Sequence, residues 1–377
     1  MDVKETIEAW PGERVARLIA EAGPDDVDAA LAREERTPHD LAALLSPHAR
    51  ARLEPMAIES RRLTRWHFGR TIALYAPLYL SNVCGADCLY CGFATGSGNR
   101  QRRVTLEPDA IRRECESLSE RGFDSVLLLT GEAPRVTPLD YIAQAVAIAR
   151  EYFSSVCIEM YAMEADDYRR LCGIGLECVT LYMETYDRDT YTQVHRSGLK
   201  RDYDRRLEAL SMAGAAGVRR LNLGVLLGLF DWRIDGFRMA QHARWLQKHY
   251  WQSAVAISFP RLRHVPKRFT TPRPLSDVHL VQLMLALRLF LPEAGFVLST
   301  RESAAFRDRL IPLGVTMMSA GSSTRPGGYA TFGDETLEQF EIEDLRSPRE
   351  VANTIAAAGY DPVWKDFDRA FFTAHPG

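Results

Sequence analysis

The stretch "TIALYAPLYLSNVCGADCLYCGF", residues 71–93, joins an apolar, β-rich run to a loop carrying Cys84, Cys88 and Cys91. Before it, residues 1–70 read as helix of mixed polarity, clearest in "DLAALLSPHARARLEPMAIESRRLTRWHF". After it the pattern alternates strand, loop and helix. Apolar runs recur at "SVLLLTG" (125–131), "SVCIEM" (155–160), "CVTLYME" (178–184) and "RLNLGVLLG" (220–228), then at "AVAISF" (254–259), "GFVLST" (295–300) and "GVTMMS" (314–319). Helical stretches such as "LDYIAQAVAIAREYF", "YDRRLEALSMAGAAG" and "LVQLMLALRLFL" separate them. Continuous apolar strands between helices make a parallel sheet covered on both faces. Eight of them over about 250 residues predict an α/β protein with a (β/α)8 barrel. A doubly wound open sheet is the alternative. The expected organisation is a helical extension over 1–70, the barrel over 71–320 and a C-terminal helical tail over 321–377.

The chain of 377 residues is 46% hydrophobic, enough for a large core. Its net charge of −3 offers no basis for binding a nucleic-acid backbone or an anionic membrane. The start, "MDVKETIEAWPGERV", lacks the apolar centre of a signal peptide, and no run of eighteen apolar residues follows. A cytoplasmic protein is expected, with its thiols reduced. Cys115, Cys157, Cys172 and Cys178 lie in helical or strand-like apolar settings and read as buried, inert thiols.

A barrel gathers its chemistry where strands end. The residues just past each run are Asn82 and the cysteine loop, Thr130-Gly131-Glu132, Glu159, Glu184, Arg261, Arg301 and Ser319. A closed zinc site needs four ligands, and no fourth Cys or His lies near the three cysteines. Thiolates also favour iron-sulfur clusters, one cysteine per iron. Three cysteines on a four-iron cube leave one iron open to a chelating ligand. No G-x-S-x-G or H-E-x-x-H pattern is present, so no side-chain nucleophile is expected.

The spacing C-x3-C-x2-C in "CGADCLYC" resembles the signature of the radical S-adenosylmethionine enzymes. Further stretches, "LYLSNVCGADCLYCGF", "LLLTGE", "YMETYDRDTYTQVH", "ISFPRLR", "LSTRES", "PGGYA" and the tail "PVWKDFD", resemble the 2-iminoacetate synthases of thiamine biosynthesis. That resemblance implies a [4Fe-4S] cluster on Cys84, Cys88 and Cys91, with S-adenosyl-L-methionine chelating the open iron. It implies cleavage of the Cα–Cβ bond of L-tyrosine to 2-iminoacetate and 4-cresol, beginning with hydrogen abstraction from the amino group. It further implies thiazole synthase as the consumer of the imine, and a flavodoxin or ferredoxin as electron donor. The hydrogenase-maturation tyrosine lyase is similar but carries further cysteines in a C-terminal extension, whereas the last cysteine here is Cys178. The tryptophan lyase and the deazaflavin synthases share the barrel and cysteine loop and part from this chain in the remaining motifs. A non-enzymatic iron-sulfur protein is the alternative of a different class.

By the same resemblance Tyr90 packs near the adenine, and the Thr130-Gly131-Glu132 turn meets the methionine amino group. Glu184 suits the ribose hydroxyls as an acceptor. Arg206 resembles the arginine that pairs with the methionine carboxylate, while Arg205 beside it is expected to be solvated. Glu159 fits either cofactor or substrate. Arg301 is the first choice for the substrate carboxylate, because its planar fork binds bidentately. Ser319 and Tyr79 are expected hydrogen-bonding partners there, and Arg261 and Arg263 are weaker candidates. His195 is a candidate for handling the phenolic proton, or else a capping or solvent-facing residue.

Overall fold

The computed structural model describes residues 2–263, 265–266 and 268–365. The expected apolar runs become strands β1 (Thr71–Ser81), β2 (Ser125–Thr130), β3 (Ser155–Glu159), β4 (Leu176–Thr180), β5 (Arg220–Gly224), β6 (Ala254–Ser258), β7 (Gly295–Leu298) and β8 (Met317–Ser319). All pair in parallel and in sequence order, and β1 bonds both to β8 and to β2. That double pairing closes a cylinder and excludes the open sheet.

Five helices precede the barrel: α1 (Val3–Glu8), α2 (Gly12–Glu21), α3 (Pro24–Ala32), α4 (Pro38–Leu45) and α5 (Leu53–Phe68). Thr37 caps α4, accepting from the Asp40 amide while Asp40 accepts from the Thr37 amide, and Pro38 follows at the first helical position. The helices of the barrel proper are α6 (Pro108–Glu120), α7 (Leu139–Tyr152), α8 (Ala165–Gly173), α9 (Arg188–Val194), α10 (Tyr203–Ala215), α11 (Trp232–His249), α12 (Asp277–Phe290) and α13 (Ala304–Leu310). Leu41 to Leu45 are all buried, because α4 packs on α11 and α12 rather than facing water.

Beyond β8 the tail carries a loop and a helix, with a short strand added. Residues 320–347 form a long loop, followed by α14 (Pro348–Ala357) and a ninth strand, β9 (Asp361–Val363). β9 pairs in parallel with Thr71–Ala73, the start of β1, whose pairing with β2 begins only at Ala76. The first residues of β1 would otherwise present unpaired backbone groups on that side, and β9 satisfies them. Residues 366–377 of the expected tail, with His375 and the end of "PVWKDFD", lie outside the described residues.

Strand periodicity decides which side chains enter the barrel. Leu127 and Leu129 on β2, Cys157 on β3, Cys178 on β4 and Val297 on β7 form an interior cluster with Tyr75 and Tyr79 of β1. Their alternates, such as Val126, Leu128, Val156 and Ile158, face the helices. Continued upward in steps of two, the interior phase reaches Glu159, Glu184, Arg301 and Ser319. Cys157 and Cys178 are thus registered neighbours inside the barrel, with an Arg220 nitrogen 3.5 Å from the Cys157 sulfur. Cys115 is buried on α6 and Cys172 half-buried on α8.

Candidate active site

The upper end of the barrel holds a cavity bordered by all three clustered cysteines and by Tyr90, Glu132, Glu159, Glu184, Lys200, Arg206 and Arg301. A second cavity lies deeper, bordered by Tyr75, Ser258, Ser299 and Ser319. Tyr79, Glu159, Tyr182, Arg301, Gln339 and Phe340 border both, so the two cavities adjoin. Apart from Asn82, which is buried against Arg102, Val104 and Leu337, and apart from Arg261 and Arg263, the residues singled out at the strand ends border one or both of these cavities.

Backbone contacts shape the cysteine loop. The Gly85 amide donates to Glu132 O at 2.9 Å, and Leu89 N to Val194 O at 3.0 Å. Asp87 pairs with Arg196 at 2.5 Å and with Arg268 at 3.1 Å, and Arg268 also donates to Cys88 O at 2.9 Å. Gly131 is glycine because the loop crosses it: an added Cβ would lie 2.2 Å from Val83 O and 2.8 Å from Cys84 Cβ. The chain itself makes a close approach at this turn. Gly198, at φ +87°, plays the same part on the other side, its Cβ position lying 2.6 Å from Ala86 Cα.

Burial pushes the Cys84 thiol up to about 11 and lifts Cys88 and Cys91 above the ordinary range as well. Such thiols become thiolates when a metal supplies positive charge. Among the described residues no three His, Cys, Asp or Glu side chains converge on a point where one ion could sit. Thr130 Oγ1 is buried without a partner at the same wall, a donor and acceptor left for a ligand. The donor set and this orphaned hydroxyl both fit a cluster with a polar chelate beside it.

Two ion pairs stand between the cysteines and the far wall. Arg206 donates through Nη1 to Glu132 at 2.7 Å and through Nε to Tyr182 O at 2.7 Å. Lys200 donates to Glu184 at 2.5 Å. Burial alone would raise the Glu184 carboxyl, but Lys200 and Arg206 hold it below its usual value. Glu184 is also the one non-glycine with positive φ (66°) among the described residues, strain of about 1–3 kcal/mol that aims its carboxylate inward.

Tyr90 lies half-buried at the cavity wall, its hydroxyl 2.7 Å from His195 Nε2, while His195 Nδ1 lies 2.8 Å from Tyr191 O. Burial lowers His195 to about 3. The histidine is thus neutral, occupied at both nitrogens and absent from the cavity wall. It steadies Tyr90 instead of meeting a substrate phenol. Arg301 lays its guanidinium over the Phe340 ring, 3.3 Å from the centroid. Tyr79 donates to Gln339 Oε1 at 2.6 Å, and Ser319 Oγ accepts from the Thr300 amide at 3.2 Å.

Arg261 and Arg263 belong elsewhere. Arg261 is buried against Glu302 and reaches Asp277 at 2.7 Å, and Arg263 pairs with Glu302 at 2.9 Å and with Glu343 at 2.7 Å. They brace the loops after β6 and β7. Arg205 is exposed and pairs with Glu164 at 3.1 Å, as its helical position implied. Lys200, Tyr182, Gln339 and Phe340 went unread in the sequence. Tyr182 alone left a trace there, since it continues the inward phase of β4 toward Glu184.

Residues 78–238 match the radical SAM superfamily, and residues 258–361 match the biotin and thiamin synthesis associated domain. The chain is 44% identical over 344 residues to the 2-iminoacetate synthase of Salmonella typhimurium and 45% identical to that of Escherichia coli. Each alignment spans 91% of this chain and 90% of the relative. Among solved structures it resembles HydG, a maturase of the [FeFe]-hydrogenase, with a TM-score of 0.83 and 32% identity over 96% of this chain and 79% of that one. Enzymes of the superfamily use a [4Fe-4S] cluster and S-adenosylmethionine. Family, fold and cavity agree: this chain belongs to the 2-iminoacetate synthases, lyases of the radical S-adenosylmethionine superfamily.

Proposed function

We propose that this protein cleaves the Cα–Cβ bond of L-tyrosine, releasing 2-iminoacetate and 4-cresol, and that the imine passes to thiazole synthase for the thiamine thiazole ring. The observation that supports it best is the pair of adjoining cavities, one bordered by the three thiols and the other by Ser319, with Arg301 and Tyr79 on the wall of both. One suits a cluster and its chelate, and the other an amino acid. The bound cofactors would supply a carbon-centred radical that removes one hydrogen atom from the substrate.

What this chain contributes is position and exclusion of water. Cys84, Cys88 and Cys91 are the residues to hold the cluster. Tyr90 offers a face at the adenine end, while Glu184, Glu132, Arg206 and the Thr130 hydroxyl offer polar partners for ribose and methionine. Arg301 takes the tyrosine carboxylate through its fork, assisted by Ser319 and Tyr79. Phe340 and Tyr182 enclose the ring. The 4-hydroxybenzyl fragment left by bond cleavage takes up one electron and one proton to become 4-cresol. A flavodoxin or ferredoxin is the class of donor for the cluster. A reducing compartment, the cytoplasm, suits a chain whose seven cysteines are all free. Among the described residues no helix is long and apolar enough to cross a membrane.

The test is anaerobic reconstitution with iron and sulfide. The protein should hold one four-iron cluster whose EPR signal changes when S-adenosylmethionine is added. With reductant, tyrosine should yield 4-cresol, 5′-deoxyadenosine and glyoxylate from hydrolysed imine. Tryptophan run in parallel should yield far less 5′-deoxyadenosine, and equal turnover of the two would contradict the assignment.

A further inference from the structure

The cavity pairs its charges unevenly. Glu132 is matched with Arg206 and Glu184 with Lys200. The side chains of Glu159 and Arg301, which border both cavities, make no hydrogen bond or ion pair with any described residue, and Arg301 is held by stacking on the Phe340 ring. The deeper cavity that the two share touches none of the cysteines, nor Glu132, Glu184, Lys200 or Arg206. One unpaired cation and one unpaired carboxyl, on the wall of the cysteine-lined cavity and of the deeper one alike, make a receptor for a zwitterion.

Resting on the tyrosine reading above, we infer that Glu159 receives the ammonium group of the bound amino acid opposite Arg301 and accepts one proton from it before the hydrogen atom is removed. The step is –NH3⁺ + –COO⁻ → –NH2 + –COOH. The nitrogen regains the lone pair that stabilises an aminyl radical, and the proton returns to solvent when products leave. β3 ends at Glu159 in the inward phase, which fixes the carboxyl in the wall rather than on a mobile loop.

The surrounding charges are suited to this. Burial, and after it Glu184 beyond β4, raise the Glu159 carboxyl to about 7, against the opposing pull of Lys200, Arg301 and Arg206 from α10. Tyr79 on β1 and Tyr182 after β4 face it as neutral phenols, both held well above their ordinary values by burial. A base poised near the working pH can take a proton and release it again.

Reconstituted enzyme with S-adenosylmethionine and no reductant binds tyrosine without turnover. Calorimetry in buffers of different ionisation enthalpy should then show about half a proton released at pH 7, because binding a cation ionises a carboxyl that titrates there. The release should approach one proton below pH 6 and vanish above pH 8. In Glu159→Gln it should be absent. That variant should keep its iron content and its S-adenosylmethionine-dependent EPR change, yet form 4-cresol about 100-fold more slowly at pH 7. Its rate should rise about tenfold per pH unit as the free amine becomes available, while the parent stays nearly flat. Glu159→Asp, with a shorter arm, should retain proton release and lose less rate, and it carries the test should the Gln variant fail to fold.

Equal proton release and equal pH profiles in parent and Glu159→Gln would overturn the role of Glu159 while leaving the lyase reading intact. A rate loss that high pH does not recover, accompanied by a weakened EPR change, would overturn it in favour of a cofactor contact. A parent enzyme that makes no 4-cresol would remove the tyrosine reading itself.

Discussion

Arg301 shows how a single residue can be held ready without a counter-ion. Stacking on Phe340 fixes the guanidinium plane and leaves its edge for a carboxylate. Arg301→Ala should leave cluster and S-adenosylmethionine binding intact and weaken tyrosine binding roughly ten- to a hundred-fold, from about 1.5–3 kcal/mol of lost charge-assisted contact. Arg301→Lys should rescue only in part, because an ammonium keeps the charge but not the fork. Tyrosine affinity measured beside thermal stability decides it, and unchanged affinity in a stable variant rules the role out. Lys200 has the opposite duty, compensating a buried carboxylate. Lys200→Met should cost about 3–5 kcal/mol at pH 7 by leaving Glu184 short of its nearest cation. The sign follows from the depressed Glu184 carboxyl: in the parent its stabilising contribution is present at neutral pH and fades as pH falls through its folded value. In the variant the carboxyl rises instead, so acid relieves it. The stability gap between the two, followed by urea unfolding, should be widest at neutral pH and narrow toward pH 4. Arg301 and Glu184 were legible because each ends an apolar run. Lys200 was not, because it lies in a polar connection where nothing in spacing separates a buried lysine from a solvated one.

At the scale of elements, the strand phase does most of the positioning. Eight runs were readable because barrel strands are apolar on both faces, and their interior alternates lead upward into the site. β9 was not readable: "DPV" is three residues long and contains a proline, and only the staggered start of β1 makes a strand of it. The glycine after β2 also has a packing role that the sequence did not show. Its freedom serves the crossing of the cysteine loop, a contact between segments some fifty residues apart. Gly131→Ala should therefore displace the Val83–Cys84 segment while sparing the barrel. Iron content after reconstitution is expected to fall several-fold with circular dichroism and barrel unfolding close to those of the parent. Full cluster loading would show that the loop can shift without losing its ligand geometry.

Across the whole molecule, the mouth of the barrel is finished by a segment more than two hundred residues downstream of the cysteines. Gln339 and Phe340 reach the cavity from the loop after β8, where the sequence showed only a turn-rich stretch with "PGGYA" at its centre. Glu114 on α6 anchors that stretch. It is buried, and it accepts from the Tyr329 amide at 2.9 Å, the Ala330 amide at 2.9 Å and the Thr331 hydroxyl at 2.8 Å. The Tyr329 hydroxyl in turn donates to Pro77 O at 2.7 Å on the barrel's first strand. A motif that reads as a functional signature is thus a clamp between an early helix, the first strand and the loop that carries Phe340. Hydrogen bonds to a charged group contribute about 1.5–3 kcal/mol each, less the cost of burying the carboxylate. Glu114→Ala should accordingly release the loop while leaving the cysteines and both cavity ion pairs in place. The expected result is faster proteolysis within residues 320–347 and a tyrosine KM raised about tenfold, with iron content and the S-adenosylmethionine-dependent EPR change retained. S-adenosylmethionine cleavage should exceed 4-cresol formation, because a loosely held tyrosine fails to meet the radical. Proteolysis and KM both equal to the parent's would mean that the loop's other contacts, among them Tyr329 on Pro77, Asn82 on Leu337 and Tyr79 on Gln339, hold it without Glu114. A fall in iron content would instead make the clamp part of the cluster's support.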